Sequence, residues 1–395
     1  MKKKLFKGIS LIITPILILG LATYMMLRKV PDHIYTSNEV EAMAFLPDLG
    51  PFNKVRYYDN KLKVNLLGVI PVKSVEVCKV KDVEVRLGGN AVGVRLSSKG
   101  ALVVGHSDIT IDNKIMRSPA ENAGIQLGDL IVKIDNINIE NSKDVINTIK
   151  NSKKDVVKMV LIRDGEEINK EVNLIKEQGG DYKLGLWVRD STAGVGTLTF
   201  YDDKTGRFGA LGHPVTDGDT NKPFTVKEGD LLESSIISFR KGEKGSPGEL
   251  KGIFVDDSNP IGKISKNTQC GIFGDTKNEV KNLFESDKIK VGFRDEVKLG
   301  KAHIITTIDE QGPKEYEIEI VKLLQQDQPG PKSMLIKVTD PELLSRTGGI
   351  VQGMSGSPII QDGKLVGAVT HVLINKPDIG YGIYIDWMLE DAGVI

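Results

Sequence analysis

The stretch that decides how this chain is read is GGIVQGMSGSPIIQDGKLVGAVTHV, Gly348 to Val372. At its centre lies G-M-S-G-S-P, with Ser355 in the middle. A strand, an Asp362-Gly363 turn and a second strand follow. A serine hydroxyl alone is a weak nucleophile. It attacks a carbonyl only when a base takes its proton, a further group holds that base, and N–H donors meet the developing oxyanion. The G-x-S-G-x-P order suits these needs. Gly353 lets its own N–H and that of Ser355 face one pocket, Gly356 permits a close approach behind the serine, and Pro358 fixes the exit into the next strand. The competing reading is a serine in a plain tight turn.

Working outward, the base must be one of five histidines. His33 lies beside an apolar N-terminal segment, His106 belongs to a separate unit, His303 sits in a strand-like stretch, and His371 follows Ser355 by 371 − 355 = 16 residues. His213, in GALGHPVTDGDT, stands among small residues at a strand end and precedes the serine by 355 − 213 = 142 residues. Residues 180–395 are otherwise glycine-rich, with short alternating segments such as GVGTLTFYD, AHIITTID and YEIEIVKLL, which predict a sandwich or barrel. Only IDWMLEDAGVI at the end reads as helical.

The 395 residues carry 53 basic and 53 acidic side chains, so the net charge is zero, and aromatics are only 6%. Neither property favours a nucleic-acid surface. The two cysteines, Cys78 and Cys270, make neither a disulfide framework nor a zinc site. No His-Glu cluster has ligand spacing, and RKGEKGSPGELKG lacks the phosphate-loop pattern, so neither metal nor cofactor is expected. MKKKLFK followed by the uncharged Gly8–Leu27 predicts an uncleaved membrane anchor with the remainder outside the cytoplasm. Gly20-Leu21-Ala22 would also suit signal-peptide cleavage. The expected organisation is residues 1–30 as basic tip and anchor, 31–79 as a small β segment, 80–177 as a second domain and 178–395 as a catalytic domain.

Within 80–177, SPAENAGIQLGDLIVKIDNINI predicts a short helix, a glycine cap and a strand. SKDVINTIKNS predicts a helix with Ser142 as N-cap, and Asp164-Gly165 a hairpin turn. This unit resembles a PDZ domain of the bacterial type. The resemblance implies a groove that takes an extended peptide as an added strand. It places the carboxylate-cradling loop at Asn90–Val94, with Val92, Gly93 and Val94 as its apolar-Gly-apolar centre and Val145 and Ile149 on the opposite wall.

The catalytic part resembles a chymotrypsin-type double β-barrel peptidase, whose G-x-S-G-G-P it departs from at Ser357. That likeness makes Gly353 and Ser355 the oxyanion donors. It also places His371 on the strand lining the specificity pocket, to read the substrate side chain before the cut; a buried strand histidine is the alternative. Nearly the whole chain resembles a narrower family, the SpoIVB-type serine peptidases of endospore-forming bacteria, through LKVNLLGVIPVK, GLWVRDSTAGVGTLTFYD, GALGHPVTDGDT, KGEKGSPGELKG and the Ser355 stretch. The resemblance implies catalytic His213 and Ser355, with Asp340 in IKVTDPELLSRTGG as the acidic member. Asp217, Asp219 and Asp256 remain possible orienters, and Asp340-Pro341 also reads as a helix cap. It further implies export into the space between the two forespore membranes, self-cleavage, and cutting of a membrane-bound regulator of an intramembrane metalloprotease, which lets a sigma-factor precursor be processed. The rival is a PDZ scaffold with a non-catalytic barrel.

Overall fold

In the computed structural model the described residues are 14, 17–28, 30, 33–36, 43, 46, 48–79, 83–111, 113–176, 180–276, 287–324, 326 and 328–395. Residues 17–27 are helical. Among the described residues no helix is long and apolar enough to cross a membrane; positions 8–13, 15 and 16 of the expected anchor lie outside the described residues. Next comes a four-stranded sheet in the order His33–Thr36, Ile70–Lys79, Lys61–Leu66, Asn53–Tyr58. Its alternating pattern buries Leu62, Val64, Val75 and Val77 on one face.

The expected mainly β architecture is present as two closed six-stranded barrels. In the first, Ala91–His106 pairs with Leu186–Tyr201, which pairs with Arg207–Ala210. That strand pairs with Gly271–Thr276, which pairs in turn with Gly262–Thr268. Val226–Arg240 then joins Gly262–Thr268 to Ala91–His106 and closes the ring. The second runs through Gly300–Thr307, Pro313–Leu323, Met334–Val338, Lys376–Tyr384, Lys364–Leu373 and Pro358–Gln361, which pairs back with Gly300–Thr307. Each ring encloses its own core: Val92, Leu198, Phe208 and Ile272 in the first, Ile304, Ile336, Ile359 and Ile383 in the second. The last helix, Ile385–Ala392, buries Trp387, Met388 and Leu389.

The domain order differs from the expected one. The first barrel begins at Ala91, so the PDZ unit is inserted into it, between the two long strands Ala91–His106 and Leu186–Tyr201. A boundary at 177/178 cannot divide them, because these strands pair from Leu186↔His106 to Thr197↔Ala91. The assignment of Val92-Gly93-Val94 as a peptide loop is corrected by the same pairings. Gly93 lies opposite Val195 on one side and Leu232 on the other, so neither backbone edge is open to a ligand. Its glycine answers a packing need, since a Cβ there would stand 2.5 Å from the Phe254 ring.

The PDZ unit has its own core of Ala101, Val103, Ile131, Ile134, Val157, Met159 and Leu161. Ser118 caps the helix Pro119–Asn122, its Oγ accepting from Glu121 N at 3.1 Å. The helix Ser142–Lys150 is capped by Asn141, one residue before the expected Ser142. Asp164 and Gly165 both take positive φ (51° and 88°), as a tight hairpin turn requires.

Candidate active site and peptide groove

Ser355 sits in a turn held from behind by the long strand Leu186–Tyr201. Thr197 N donates to Ser355 O at 2.9 Å, Thr197 Oγ1 to Gly353 O at 2.9 Å, and Thr199 Oγ1 to Gly356 O at 2.7 Å. Gly356 has φ +96°, and a Cβ there would lie 2.0 Å from Thr197 O, so only glycine admits this approach. Gly353 has φ +100°. Among the described residues, the N–H groups of Gly353 and Ser355 donate to no protein acceptor, while the neighbouring N–H groups of Met354, Gly356 and Ser357 are all engaged. Two free donors flanking a nucleophile are what an oxyanion needs. Ser357, the departure from the double-glycine pattern, is fully buried and closes the turn, its Oγ donating to Met354 O at 2.6 Å.

His213 leaves the strand Arg207–Ala210 and faces the same cleft, a cavity of about 570 Å3 lined by His213, Gly353, Ser355 and His371 with apolar Val195, Ile350 and Ile374. Its Nδ1 lies 2.8 Å from Pro214 O. A carbonyl only accepts, so the proton is on Nδ1 and Nε2 carries the lone pair of a base. Burial pushes the His213 pKa down, against a smaller opposing effect of the Pro214 carbonyl. The Ser355 hydroxyl donates to Thr370 O at 2.8 Å and not to the imidazole. Ser355 and His213 thus share one cleft, with the hydroxyl turned aside.

The acidic member is placed elsewhere. Asp340 caps the helix Pro341–Thr347, its Oδ1 accepting from Leu343 N at 2.9 Å and its Oδ2 from Glu317 N at 3.4 Å. Its carboxylate makes no hydrogen bond to His213, which corrects the expected triad geometry: the helix N-terminus, with its unpaired N–H groups, claims the side chain. The alternatives are also occupied. Asp217 binds Arg189 at 2.6 Å and closes its own turn through Thr220 N, Asp219 pairs with Arg189 at 2.7 Å, and Asp256 accepts from Ser258. The backbone carbonyl of Pro214 occupies the orienting position.

His371 lines the same cleft and lies against His213. Its ring centroid is 4.9 Å from that of His213, and its Nδ1 is buried with no partner. Burial, then His213, then Lys332 bring its pKa down to about 4, so it is neutral at pH 7. Cys78 and Cys270 are both free thiols. Among the described residues no group of three His, Cys, Asp or Glu is placed to hold a metal ion.

A second cleft, of about 600 Å3, opens between the helix Ser142–Lys150 and residues 181–188. Val145 and Ile149 line it. The opposite wall is Leu184-Gly185-Leu186, followed by Trp187 and Val188, and not Val92-Gly93-Val94. Leu186–Arg189 pairs with Leu102–His106 on one side only, so its other backbone edge faces the helix unpaired. Gly185 has φ +68°, and a Cβ there would meet Ser107 O at 2.5 Å and Ser118 Oγ at 3.0 Å. Ser118 also donates to Gly185 O at 2.8 Å, so the serine of the S-P-A motif holds the loop while capping its helix. Asp190 accepts from Ser142 N at 2.7 Å and ties the strand to the start of the groove helix. The missed loop carries the same apolar-Gly-apolar signal, but it lies after the other PDZ elements in the chain.

Comparison with known families settles the frame of this geometry. The model of the SpoIVB peptidase S55 family matches residues 180–389. The chain belongs to this family of serine peptidases. A PDZ-domain model matches residues 113–163 of this S55 peptidase. A putative zinc metalloprotease of Borreliella burgdorferi is 38% identical over 60 residues, 15% of this chain; the chain spans 14% of that relative's length. Among solved structures, the PDZ domain of an SdrC-like protein of Listeria monocytogenes is 21% identical over 24% of this chain and 90% of its own, with a TM-score of 0.19. The active form of the Rv3671c protease of M. tuberculosis is 13% identical over 51% of this chain and 75% of its own, with a TM-score of 0.29.

Proposed function

We propose that this S55 peptidase is an exported serine endopeptidase, anchored by residues 8–27. In this reading it cleaves itself from its anchor and then cuts a membrane-bound regulator of an intramembrane metalloprotease, so that a sporulation sigma factor can be processed. The observation that supports catalysis is the pairing of Ser355 and His213 in one cleft with the Gly353 and Ser355 N–H groups unengaged. Turning the Ser355 side chain about χ1 releases Thr370 O and offers the hydroxyl to His213 Nε2. Ser355 Oγ then attacks the substrate carbonyl carbon while its proton passes to Nε2. The oxyanion takes the two free N–H groups, and Pro214 O holds the imidazolium through Nδ1. His213 returns the proton to the leaving amine as the C–N bond breaks, and water, activated by the same base, releases the acyl group. His371, beside Thr370 and Gln352 in the cleft wall, reads the side chain before the cut. An extended peptide adds to the free edge of Leu186–Arg189 in the PDZ groove.

Exposure of the full chain to a fluorophosphonate, followed by mass spectrometry, tests this reading. The expected result is one adduct on Ser355, absent from Ser355→Ala and His213→Ala. A wild-type chain that stays unlabelled both with and without added peptides would favour the scaffold reading.

A further inference from the structure

The four-stranded N-terminal sheet has two turns at opposite ends, with the same backbone form and opposite chemistry. At one end Tyr58–Lys61 turns through Asp59 and Asn60, both at positive φ (53° and 56°). At the other, Leu66–Val69 turns through Leu67 and Gly68, again at positive φ (53° and 75°), with Val69 N donating to Leu66 O at 3.2 Å. Asp and Asn suit the left-handed region and water. Leucine there is disfavoured by its Cβ, and nothing in the sheet's own packing calls for it, because Leu67 is 57% exposed. Val69 is 79% exposed, and Ile70 and Phe52 are each 53% exposed beside it. Leu67 N donates to Phe52 O at 2.6 Å, which joins the four into one apolar tip.

The N-terminal helix reaches the sheet at this same end. Met26 and Leu27 pack on the sheet's core, and Met26 lies against Gly50, two residues from Phe52. Lys73 Nζ donates to Val30 O and, at 3.5 Å, to Leu27 O. From there the chain runs away from the tip, since His33 pairs with Glu76 and Thr36 with Lys79. Of the basic residues in 51–73, Lys54 and Lys73 stand towards the tip, while Lys61 and Asp59 sit together at the far turn. The Lys54 stem crosses Gly68 at the tip, its Cδ 3.2 Å from where a Cβ would stand.

We propose that the turn Leu66–Ile70, with Phe52, inserts into the interfacial layer of the same lipid bilayer that holds residues 8–27, while Lys54 and Lys73 meet anionic headgroups. Two points at one end of a rigid sheet, the helix exit and the tip, then fix the sheet upright on the membrane and set the height of the PDZ groove and the barrels above it. Aliphatic tip residues flanked by lysine are the chemistry of that layer. The inference rests on the reading of residues 8–27 as an anchor.

The test uses the full chain reconstituted in phosphatidylcholine–phosphatidylglycerol vesicles with brominated acyl chains. An environment-sensitive fluorescent amino acid is placed in turn at positions 21, 69 and 58. Lipid bromine should quench the probe at 21 and at 69 and leave the one at 58 bright. Quenching at 21 alone would sink the inserted tip and leave the anchor standing. Quenching at neither 21 nor 69 would remove the anchor and the proposal together, and equal quenching at 58 and 69 would overturn the upright sheet. Leu67→Asn with Val69→Lys, which copies the far turn's polarity in a conformation asparagine accepts, should keep the thermal midpoint of the chain. It should also abolish quenching of a probe at 52; persistence of that quenching would count against the turn as the inserted element.

Discussion

Val92-Gly93-Val94 and Leu184-Gly185-Leu186 carry the same pattern and do opposite work. The first is locked between two strands, its glycine cleared for the Phe254 ring. The second turns at positive φ onto a strand with one edge free, beside Val145 and Ile149. An apolar-Gly-apolar motif permits a close backbone approach. Whether a ligand or a neighbouring strand makes that approach depends on which edge the fold has left unpaired. Val92–Val94 lies within the strand Ala91–His106, and Leu184-Gly185 leads into its partner Leu186–Tyr201 beside the second cleft.

The largest expected effect sets the scale for this contrast. Ser355→Ala or His213→Ala should lower peptide-bond cleavage by about 10^4-fold or more with the thermal midpoint retained. Turnover left within tenfold of wild type would mean that the cleft is not the catalytic one. Gly93→Val comes next. Overpacking against Phe254 should cost about 1–3 kcal/mol or more of stability, read as a lower unfolding midpoint, and should reduce labelling of Ser355 through the barrel. If the midpoint holds while peptide affinity alone falls, Val92-Gly93-Val94 is the groove after all. Gly185→Val should do the reverse, weakening binding of an extended peptide by about tenfold or more in a titration while Ser355 labelling survives.

Smaller effects sharpen the site. Asp340→Asn keeps the helix cap, because asparagine serves as well as aspartate, so the labelling rate should stay within about twofold of wild type. A drop of a hundredfold in a folded variant would place Asp340 against His213 during turnover. The smallest effects concern pH. His213 acts as base only when neutral, and its pKa lies below the ordinary 6.5, so the acid limb of kcat/KM should have its midpoint below 6.5. His371 has a folded pKa of about 4 against 6.5 when unfolded, so the unfolded chain binds more protons between those values. Its contribution to stability is therefore present above pH 6.5 and is lost as pH falls towards 4. His371→Asn should flatten that part of the curve of thermal midpoint against pH, and an unchanged slope would contradict the buried neutral imidazole.

Local chemistry made much of this protein legible in its sequence. Ser355 between Gly353 and Gly356, His213 among small residues, the S-P-A helix and the Asp164-Gly165 hairpin each rest on steric rules acting over a few residues, and each is where those rules put it. The helix that carries Val145 and Ile149 was legible in its spacing, while their place in a groove came from the resemblance to a PDZ domain. What the sequence could not decide was which distant segments meet. Asp340 has the same residue type and neighbours whether it holds an imidazole or caps a helix, and only the helix N-terminus at Leu343 shows which it does. The insertion of the PDZ unit into the first barrel and the choice between Gly93 and Gly185 are both outcomes of strand pairing across long sequence separations. Backbone edges and carbonyls look alike in a sequence. Tertiary pairing alone determines which of them are taken and which stay open to a substrate.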